Sequence, residues 1–139
     1  MANRYKEPYK GKYADIKQGV RSDIGPMFFR SSWEANYARY LNWLIVHNQI
    51  LRWEFEPQTF WFEGIKRGTM SYLPDFKVYN HDGSNYFVEV KGYMDAKSKT
   101  KLSRMKKYHP NVKIVLIRSK QYRKIERNHG MMISGWEFA

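Results

Sequence analysis

The sequence predicts an α/β domain with a central mixed β-sheet flanked by helices, in the order α-β-β-β-α-β. A helix start at Ser31 precedes stretches of alternating apolar and polar residues on either side of an Asp82-Gly83 turn. A basic helical stretch then leads to residues 112–117, a nearly continuous apolar run that is typical of a buried parallel strand. A parallel strand reached through a helix implies a right-handed crossover.

The first predicted element is a basic N-terminal arm over residues 1–30, which is rich in Lys, Arg, Tyr and Gly and shows no clear period. Phe28 and Phe29 are expected to dock this arm on the core. The remaining residues, 31–139, are predicted to form one domain, because no linker or change of composition divides them.

Two helices have clear start and stop signals. Ser31 is a good N-cap residue and Glu34 follows at the capping-box spacing, so the first helix should run to about His47. Asp95 is a candidate cap for a second helix that ends near Tyr108, before the His-Pro pair that stops it.

The strands are predicted from alternation and from aromatic content, at residues 50–56, 58–63, 72–79 and 86–91. Pro57 separates the first two, and a basic loop follows the second. After the apolar strand, residues 119–127 favour a short third helix. Trp136 and Phe138 are expected to anchor the tail of the chain.

The composition excludes several classes of protein. With 139 residues, 42% of them hydrophobic, the chain is long enough for one domain with a substantial core. It has no cysteine, which excludes disulfides, thiolate zinc sites and a cysteine nucleophile, and its four histidines lack ligand spacing. No run of about 18 apolar residues predicts a membrane span. The first twenty residues are polar and basic, which favours a cytoplasmic location over secretion.

Charge is distributed unevenly along the chain, which carries a net charge of +12. Residues 91–128 contain 13 Lys and Arg against Asp95 and Glu126, whereas residues 31–90 contain 5 basic and 7 acidic residues. A basic surface of this size indicates a polyanionic partner such as nucleic acid. The acidic segment inside a basic protein is consistent either with ordinary solvated charge or with a site for a divalent metal.

The strongest indication of a catalytic site comes from Asp75 and the sequence Glu89-Val90-Lys91. Asp75 and Glu89 each lie seven residues from Asp82, so a hairpin folded there places the two carboxylates opposite each other. Side chains alternate along a strand, and therefore Glu89 and Lys91 point to the same face. Mg²⁺ binds through a few carboxylates and keeps several waters. The pattern predicts a magnesium site beside an ammonium group, as in a metal-dependent phosphodiesterase.

Three segments match the motifs of a known group of nucleases: Phe29-Arg30-Ser31 with Glu34, Tyr72-Leu73-Pro74-Asp75-Phe76, and Val88-Glu89-Val90-Lys91-Gly92. In these motifs, over about residues 28–117, the chain resembles the PD-(D/E)XK nuclease superfamily and, within it, the phage endonuclease I family of Holliday-junction resolvases. The resemblance implies a restriction-endonuclease-like core and DNA cleavage with Mg²⁺ or, in its place, Mn²⁺. A domain this small that cuts both strands of a duplex or a junction symmetrically is expected to act as a homodimer. Some homing endonucleases and a transposase endonuclease subunit share this core, so the substrate stays open.

The resemblance also implies a role for each site residue. Asp75 would bridge metal ions, and Glu89 would be the second carboxylate ligand, with the Val90 carbonyl beside it. Lys91 would orient or deprotonate the attacking water, or neutralise the charge that develops on the phosphate. Glu34 would complete a second metal position or hold a metal-bound water. The residues alone also allow plainer roles, which are a turn residue for Asp75, an exposed strand position for Glu89, a salt bridge to Glu89 for Lys91 and a helix cap for Glu34.

Cations along the second helix and around the predicted site are candidate contacts to DNA phosphates: Arg30, Lys66, Arg67, Lys97, Lys99, Lys101, Arg104, Lys106 and Lys107. A solvated helix face is the alternative. Glu54, Glu56 and Glu63 are expected in solvent at strand edges rather than as ligands, with Glu56, next to the core, kept as an alternative ligand. DNA is the expected partner, and no membrane or protein partner is indicated. Three functions remain open, namely a junction-resolving or structure-selective endonuclease, a site-specific homing-type endonuclease, and a non-catalytic module that binds nucleic acid.

Overall fold

A computed structural model of the protein describes residues 18–138. The predicted arm residues before position 18 lie outside this part of the chain. The elements in chain order are β1 (Gly19–Arg21), β2 (Gly25–Phe29), α1 (Ser32–Val46), β3 (Arg52–Phe55), β4 (Phe60–Trp61), β5 (Ser71–Tyr72), β6 (Phe76–Tyr79), β7 (Asn85–Val90), α2 (Ala96–Tyr108), β8 (Ile114–Ile117) and α3 (Ser119–His129), followed by a 3₁₀ turn, Gly130–Met132.

The centre of the fold is a four-stranded mixed sheet in the order β3-β6-β7-β8. The first three strands pair antiparallel, and β8 joins β7 in parallel through α2. Two small hairpins, β1-β2 and β4-β5, lie outside this sheet. The α1-β3-β6-β7-α2-β8 succession confirms the predicted α/β class and element order.

Side chains of β7 alternate between the two faces of the sheet and thereby separate two apolar clusters. Val88 and Val90 pack in the larger cluster, together with Leu41 of α1 and Tyr122 of α3. Phe87 points the other way, into a smaller cluster formed with the β4-β5 hairpin and α2. Glu89 is two residues further along the strand and therefore faces the α2 side of the sheet.

Helix α1 begins as predicted, because the Ser31 side chain accepts a hydrogen bond from Glu34 N at 3.1 Å. The second half of the predicted capping box is different. The Glu34 carboxylate accepts from Arg30 N at 2.8 Å instead of from the N-cap residue. Glu34 is consequently held at the helix N-terminus and is only 7% exposed. Ala35, Ala38 and Leu41 then follow on the buried side of the helix.

The expectation of a loosely packed arm is wrong for its described part. Residues 19–29 form the antiparallel β1-β2 hairpin, and ion pairs fix it to the rest of the domain. Asp23 pairs with Arg39 of α1 at 2.7 Å, and Arg21 pairs with Glu137 near the end of the chain at 2.8 Å. Position 30 is therefore no boundary between an arm and a domain.

The predicted docking by two phenylalanines is half right. Phe29 is fully buried, whereas Phe28 is 47% exposed. Adjacent residues of a strand point to opposite faces, so only one of the two can enter the core.

Of the two predicted anchors at the end of the chain, Trp136 is buried and Phe138 is not. The Trp136 indole donates a hydrogen bond to Glu126 at 2.8 Å. Phe138 lies against Gly130 and stays more than half exposed.

The predicted strand at residues 72–79 is two strands. Tyr72 ends β5, Phe76 begins β6, and Pro74 lies between them, where its missing N–H would break a ladder. In the predicted strand at residues 58–63, only Phe60 and Trp61 pair with another strand.

The second helix begins after the predicted cap Asp95, whose side chain accepts a hydrogen bond from Ser98 N at 2.7 Å. Within residues 18–138, none of the helices is both long and apolar enough to cross a bilayer.

Candidate functional site

The register of the β6-β7 hairpin brings Asp75 next to the end of β7. Phe76 pairs with Val88, so Asp75, one residue earlier, lies at the level of Glu89. The Asp75 Oδ2 atom accepts a hydrogen bond from Val90 N at 2.8 Å. Its backbone carbonyl accepts from Glu56 N at 2.7 Å, which ties this position to the residue that follows β3. Asp75 is 6% exposed and is therefore a buried acid.

Glu89 is half-buried, and a residue of the second hairpin holds it in place. The Tyr72 hydroxyl donates to Glu89 Oε2 at 2.7 Å. Tyr72 is the partner of Phe60 in the β4-β5 ladder, so the hydrogen bond connects that hairpin to the central sheet. No role was predicted for Tyr72. Its place in the segment Tyr72-Leu73-Pro74-Asp75-Phe76 was the only sequence signal.

Glu34 reaches the same end of the sheet because α1 begins there. Trp33, its neighbour, packs against Gly92, where a Cβ atom would lie 3.3 Å from the indole ring. Gly92 directly follows Lys91, so this contact, which leaves little room for a side chain at position 92, brings the start of α1 to the end of β7. Trp33 also stacks on Tyr122 of α3, with ring centroids 4.0 Å apart.

Burial and mutual repulsion dominate the electrostatics of the three carboxyl groups. Burial first, and then the negative charges of Glu89 and Glu34, raise the pKa of Asp75 well above its ordinary value. Burial likewise raises the pKa of Glu34 and the pKa of Glu89, against the opposing effect of the Lys91 ammonium. These groups share one region in which each negative charge is unfavourable to the others. A cation bound among them would remove that repulsion.

The oxygen atoms of the Asp75 and Glu89 carboxylates are of the kind that binds a hard divalent cation. Among residues 18–138, no group of three or more acidic or histidine side chains is arranged as a ready-made metal site. Mg²⁺ does not need one, because it binds through one or two carboxylates and keeps several waters. Asp75 and Glu89 supply those carboxylates, and the Val90 carbonyl is adjacent. Glu34 would act from the rim of such a site.

A small pocket of about 30 Å³ lies beside Glu89 on the α2 side of the sheet. Tyr72, Lys91 and Ser98 line it, together with Lys101. The volume is enough for one or two water molecules. The Lys101 charge acts in the same direction as the Tyr72 hydrogen bond and the Lys91 charge, and all three lower the pKa of Glu89 against the effect of its burial. Lys101, predicted only as a phosphate contact, thus lies at the carboxylate cluster itself.

Glu56 also belongs to this region, although it was expected in solvent. It forms an ion pair with Arg30, and its charge contributes to the raised pKa of Asp75 and of Glu34. Its backbone has a φ of 46°, which is uncommon for a residue with a side chain. Arg30, a predicted phosphate contact, is thereby held beside the carboxylates. Glu54 instead accepts from the Tyr79 hydroxyl at the sheet edge, and Glu63 is exposed as predicted.

The predicted phosphate contacts divide into free and engaged cations. Arg104 donates to the Thr69 carbonyl and so fastens the loop between β4 and β5 to α2. The exposed members of the predicted set are Arg30, which pairs with Glu56, and Lys66, Arg67, Lys97, Lys99, Lys106 and Lys107. Sequence reasoning did not assign the exposed cations of α3, namely Lys120, Arg123, Lys124 and Arg127. The signal for them was the high charge of residues 91–128 as a whole.

Helices α2 and α3 both start at the end of the sheet that carries the carboxylates. Lys91 N donates to Ile117 O at 2.9 Å, so the ends of β7 and β8 are adjacent, and α3 begins two residues later. The positive end of each helix dipole is therefore near the acidic cluster. Such an end favours anions, which makes this edge suitable for a phosphate group.

The chain belongs to the family described as a protein of unknown function, DUF1064, which matches residues 10–124. The matched segment contains every residue of the carboxylate cluster, Lys91 and helix α2. No curated protein matches the chain.

Proposed function

We propose that this protein is a Mg²⁺-dependent DNA endonuclease that hydrolyses phosphodiester bonds, of the phage type that resolves junctions or selects branched structures. One observation carries the proposal, which is the meeting of Asp75, Glu89 and Lys91 at one end of the sheet beside Glu34. The α-β-β-β-α-β order of the fold supports it, because this is the order that the resemblance to PD-(D/E)XK nucleases implies. Mn²⁺ would substitute for Mg²⁺, and the protein would act in the cytoplasm.

Each residue has a task that follows from its surroundings. Asp75, Glu89 and the Val90 carbonyl would hold the metal ion, and the bound ion would supply stabilisation of the negative charge that develops on the phosphate. Tyr72 favours the ionised form of Glu89, which a ligand must adopt. Lys91 lies on the same face as Glu89, where its ammonium group can orient the attacking water or neutralise charge on the phosphate.

The basic helix α2 would hold the DNA backbone. Its N-terminus is close to the carboxylates, and Lys97, Lys99, Lys106 and Lys107 are exposed along it. Phosphate contacts of this kind give affinity without reading the sequence. A domain of this size that cuts two strands symmetrically would act as a homodimer.

The second candidate function is a non-catalytic module that binds nucleic acid. It is favoured by the exposed cations of α2, which can bind phosphate groups without any metal ion. A third, within the enzymes, is a site-specific duplex endonuclease of the homing type. It uses the same residues and differs only in substrate.

A cleavage panel separates these functions. A four-way junction, a flap, a linear duplex and a single strand would be incubated at equal salt with Mg²⁺, with Mn²⁺ and with EDTA. Metal-dependent cutting that favours the junction or flap supports the proposal, and cutting at one sequence of the duplex supports the homing type. Retarded but uncut DNA under every condition, with Asp75→Asn behaving as the unchanged protein does, would leave only the binding module.

A further inference from the structure

A second concave site lies away from the carboxylates, between the β4-β5 hairpin and the C-terminal end of α2. It is an open groove of about 430 Å³. Aromatic side chains from both elements line it, Trp61 from β4 and Tyr108 from α2, and Gln58, Glu63 and His109 add polar groups. The volume lies within the range of about 300–1,000 Å³ that small-molecule sites occupy.

Trp61 is the feature of this groove that needs an explanation. Its neighbour Phe60 is buried, whereas Trp61 is 64% exposed although it is one of the largest apolar side chains in the protein. Its position is fixed, because it pairs with Ser71 in the ladder and His109 Nε2 lies 2.8 Å from the Trp61 carbonyl oxygen. These contacts fix the backbone of Trp61, and an exposed aromatic side chain held there beside an open groove is suited to stacking on a flat ligand.

The surrounding charge indicates what that ligand is. Lys107, which precedes Tyr108 on α2, is exposed, and its ammonium lies 5.3 Å from the centre of the Tyr108 ring. The lining itself contains one acidic residue, Glu63. An aromatic platform beside cations is the arrangement by which proteins bind single-stranded nucleic acid, with bases on the rings and phosphates on the cations.

The groove is within reach of a strand held at the carboxylates. Lys101 lines the pocket at Glu89 and Tyr108 lines the groove, and these residues are seven positions apart on α2. Seven helical residues span roughly 10 Å, which corresponds to about three nucleotides where the strand stays stacked at 3.4 Å each and to fewer where it is extended. The β4-β5 hairpin joins the two sites, because Phe60 pairs with Tyr72, the residue that holds Glu89.

We infer that this groove binds an unpaired nucleobase, stacked on Trp61, of a DNA strand whose backbone follows α2. The position of that base relative to the cleaved bond rests on the proposed function, whereas the binding itself does not. An unpaired base within about three nucleotides of the scissile phosphate would direct the protein to junctions, flaps and single-stranded regions.

The test measures binding in EDTA, where a metal-dependent enzyme cannot cut. A fluorescent single strand and the same strand built from abasic nucleotides would be titrated with the unchanged protein, Trp61→Ala, Trp61→Phe and Lys107→Gln. Loss of one base stack should weaken binding of the normal strand to Trp61→Ala by about 5- to 150-fold and leave the abasic strand unaffected. Trp61→Phe should retain most of the affinity, and Lys107→Gln should weaken both strands equally.

Three results would overturn the inference. They are no binding of single strands, unchanged binding by Trp61→Ala, or an equal loss on both strands, any of which would give the groove to a protein partner or a second copy. The outcomes are distinguishable from failure of the proposed function. A protein that stacks bases on Trp61 and never cuts DNA refutes the nuclease only, and a nuclease indifferent to Trp61 refutes the groove only.

Discussion

Replacing Asp75 by asparagine should stabilise the metal-free protein at neutral pH. Asp75 is buried, and the charges of Glu89, Glu34 and Glu56 oppose its ionisation. Asparagine has the same shape, keeps an oxygen to accept the Val90 N–H, and carries no charge. Its amide group can donate to the neighbouring carboxylates. The substitution therefore removes the repulsion and leaves the packing in place.

The sign and size of the effect follow from proton linkage. The folded protein raises the pKa of Asp75 above its ordinary value of 3.8, so stability is lost as the pH rises from that value through the folded pKa. Each unit by which a pKa is raised lowers the stability of the ionised folded state by about 1.4 kcal/mol. For a domain of this size, 1 kcal/mol corresponds to roughly 4 °C in melting temperature. Asp75→Asn should thus melt higher at pH 7 and like the unchanged protein below pH 3.8.

Bound metal should also stabilise the unchanged protein, because it relieves the same repulsion between carboxylates. A ligand that binds only the folded state stabilises it by about 2.7 kcal/mol at one hundred times its dissociation constant. By the same conversion, saturating Mg²⁺ or Mn²⁺ raises the melting temperature of the unchanged protein by roughly 10 °C. Asp75→Asn, which lacks one of the two proposed carboxylate ligands, should lose most of this gain.

Thermal melts of both proteins in EDTA and in metal, at pH 7 and below pH 3.8, measure these effects together. Glu63→Gln is the matched control, because Glu63 is exposed and lies outside the cluster, and it should change neither the metal-free melt nor the response to metal. The reasoning is refuted if Asp75→Asn melts lower than the unchanged protein at pH 7 in EDTA and responds equally to metal.

Three further substitutions test other parts of the site. Glu34→Gln keeps an acceptor for Arg30 N, so it should lose cleavage without a lower melting temperature, and an active variant would make Glu34 a capping residue only. Tyr72→Phe removes a hydrogen bond that lowers the pKa of Glu89, so the acidic limb of the activity profile should move to higher pH, and an unmoved limb contradicts that role. Glutamine at Lys97, Lys99 and Lys106 should reduce the slope of log K against log salt by roughly 0.9 per lost contact on any duplex sequence, whereas an unchanged slope places α2 away from DNA.

Signals within a few residues of each other were sufficient to predict much of this fold. Ser31 and Asp95 cap their helices because N-capping depends only on residues up to three positions away. The pairing of Asp75 with the end of β7 followed from equal spacing on either side of the turn at Asp82, because register is fixed by the turn. The α2 crossover to the parallel strand β8 followed from its apolar run. The expected burial is only partial, because β8 is the edge strand of the sheet and Ile117 is its one buried residue.

Long-range contacts explain what the sequence did not reveal. The β1-β2 hairpin depends on pairs between Asp23 and Arg39 and between Arg21 and Glu137, which lie 16 and 116 residues apart. The pattern of apolar and polar residues within a segment contains no sign of such distant pairs. The sequence of residues 1–30 was therefore interpreted as a loosely packed arm. Glu56, in the acidic cluster, has a backbone with a positive φ. The residues around it in the sequence do not predict this conformation.

Nicking of supercoiled plasmid by the unchanged protein, compared with Asp75→Asn and Glu89→Gln, tests the central proposal most directly. The three proteins would be assayed at equal salt in Mg²⁺ and in EDTA, with DNA retardation measured on the same samples. The unchanged protein should nick only with Mg²⁺, while both variants should retard DNA at least as well and leave it intact, because fewer carboxylates repel the phosphates. Equal nicking by all three proteins, or retardation without nicking by the unchanged protein in Mg²⁺, would contradict the assignment of this site.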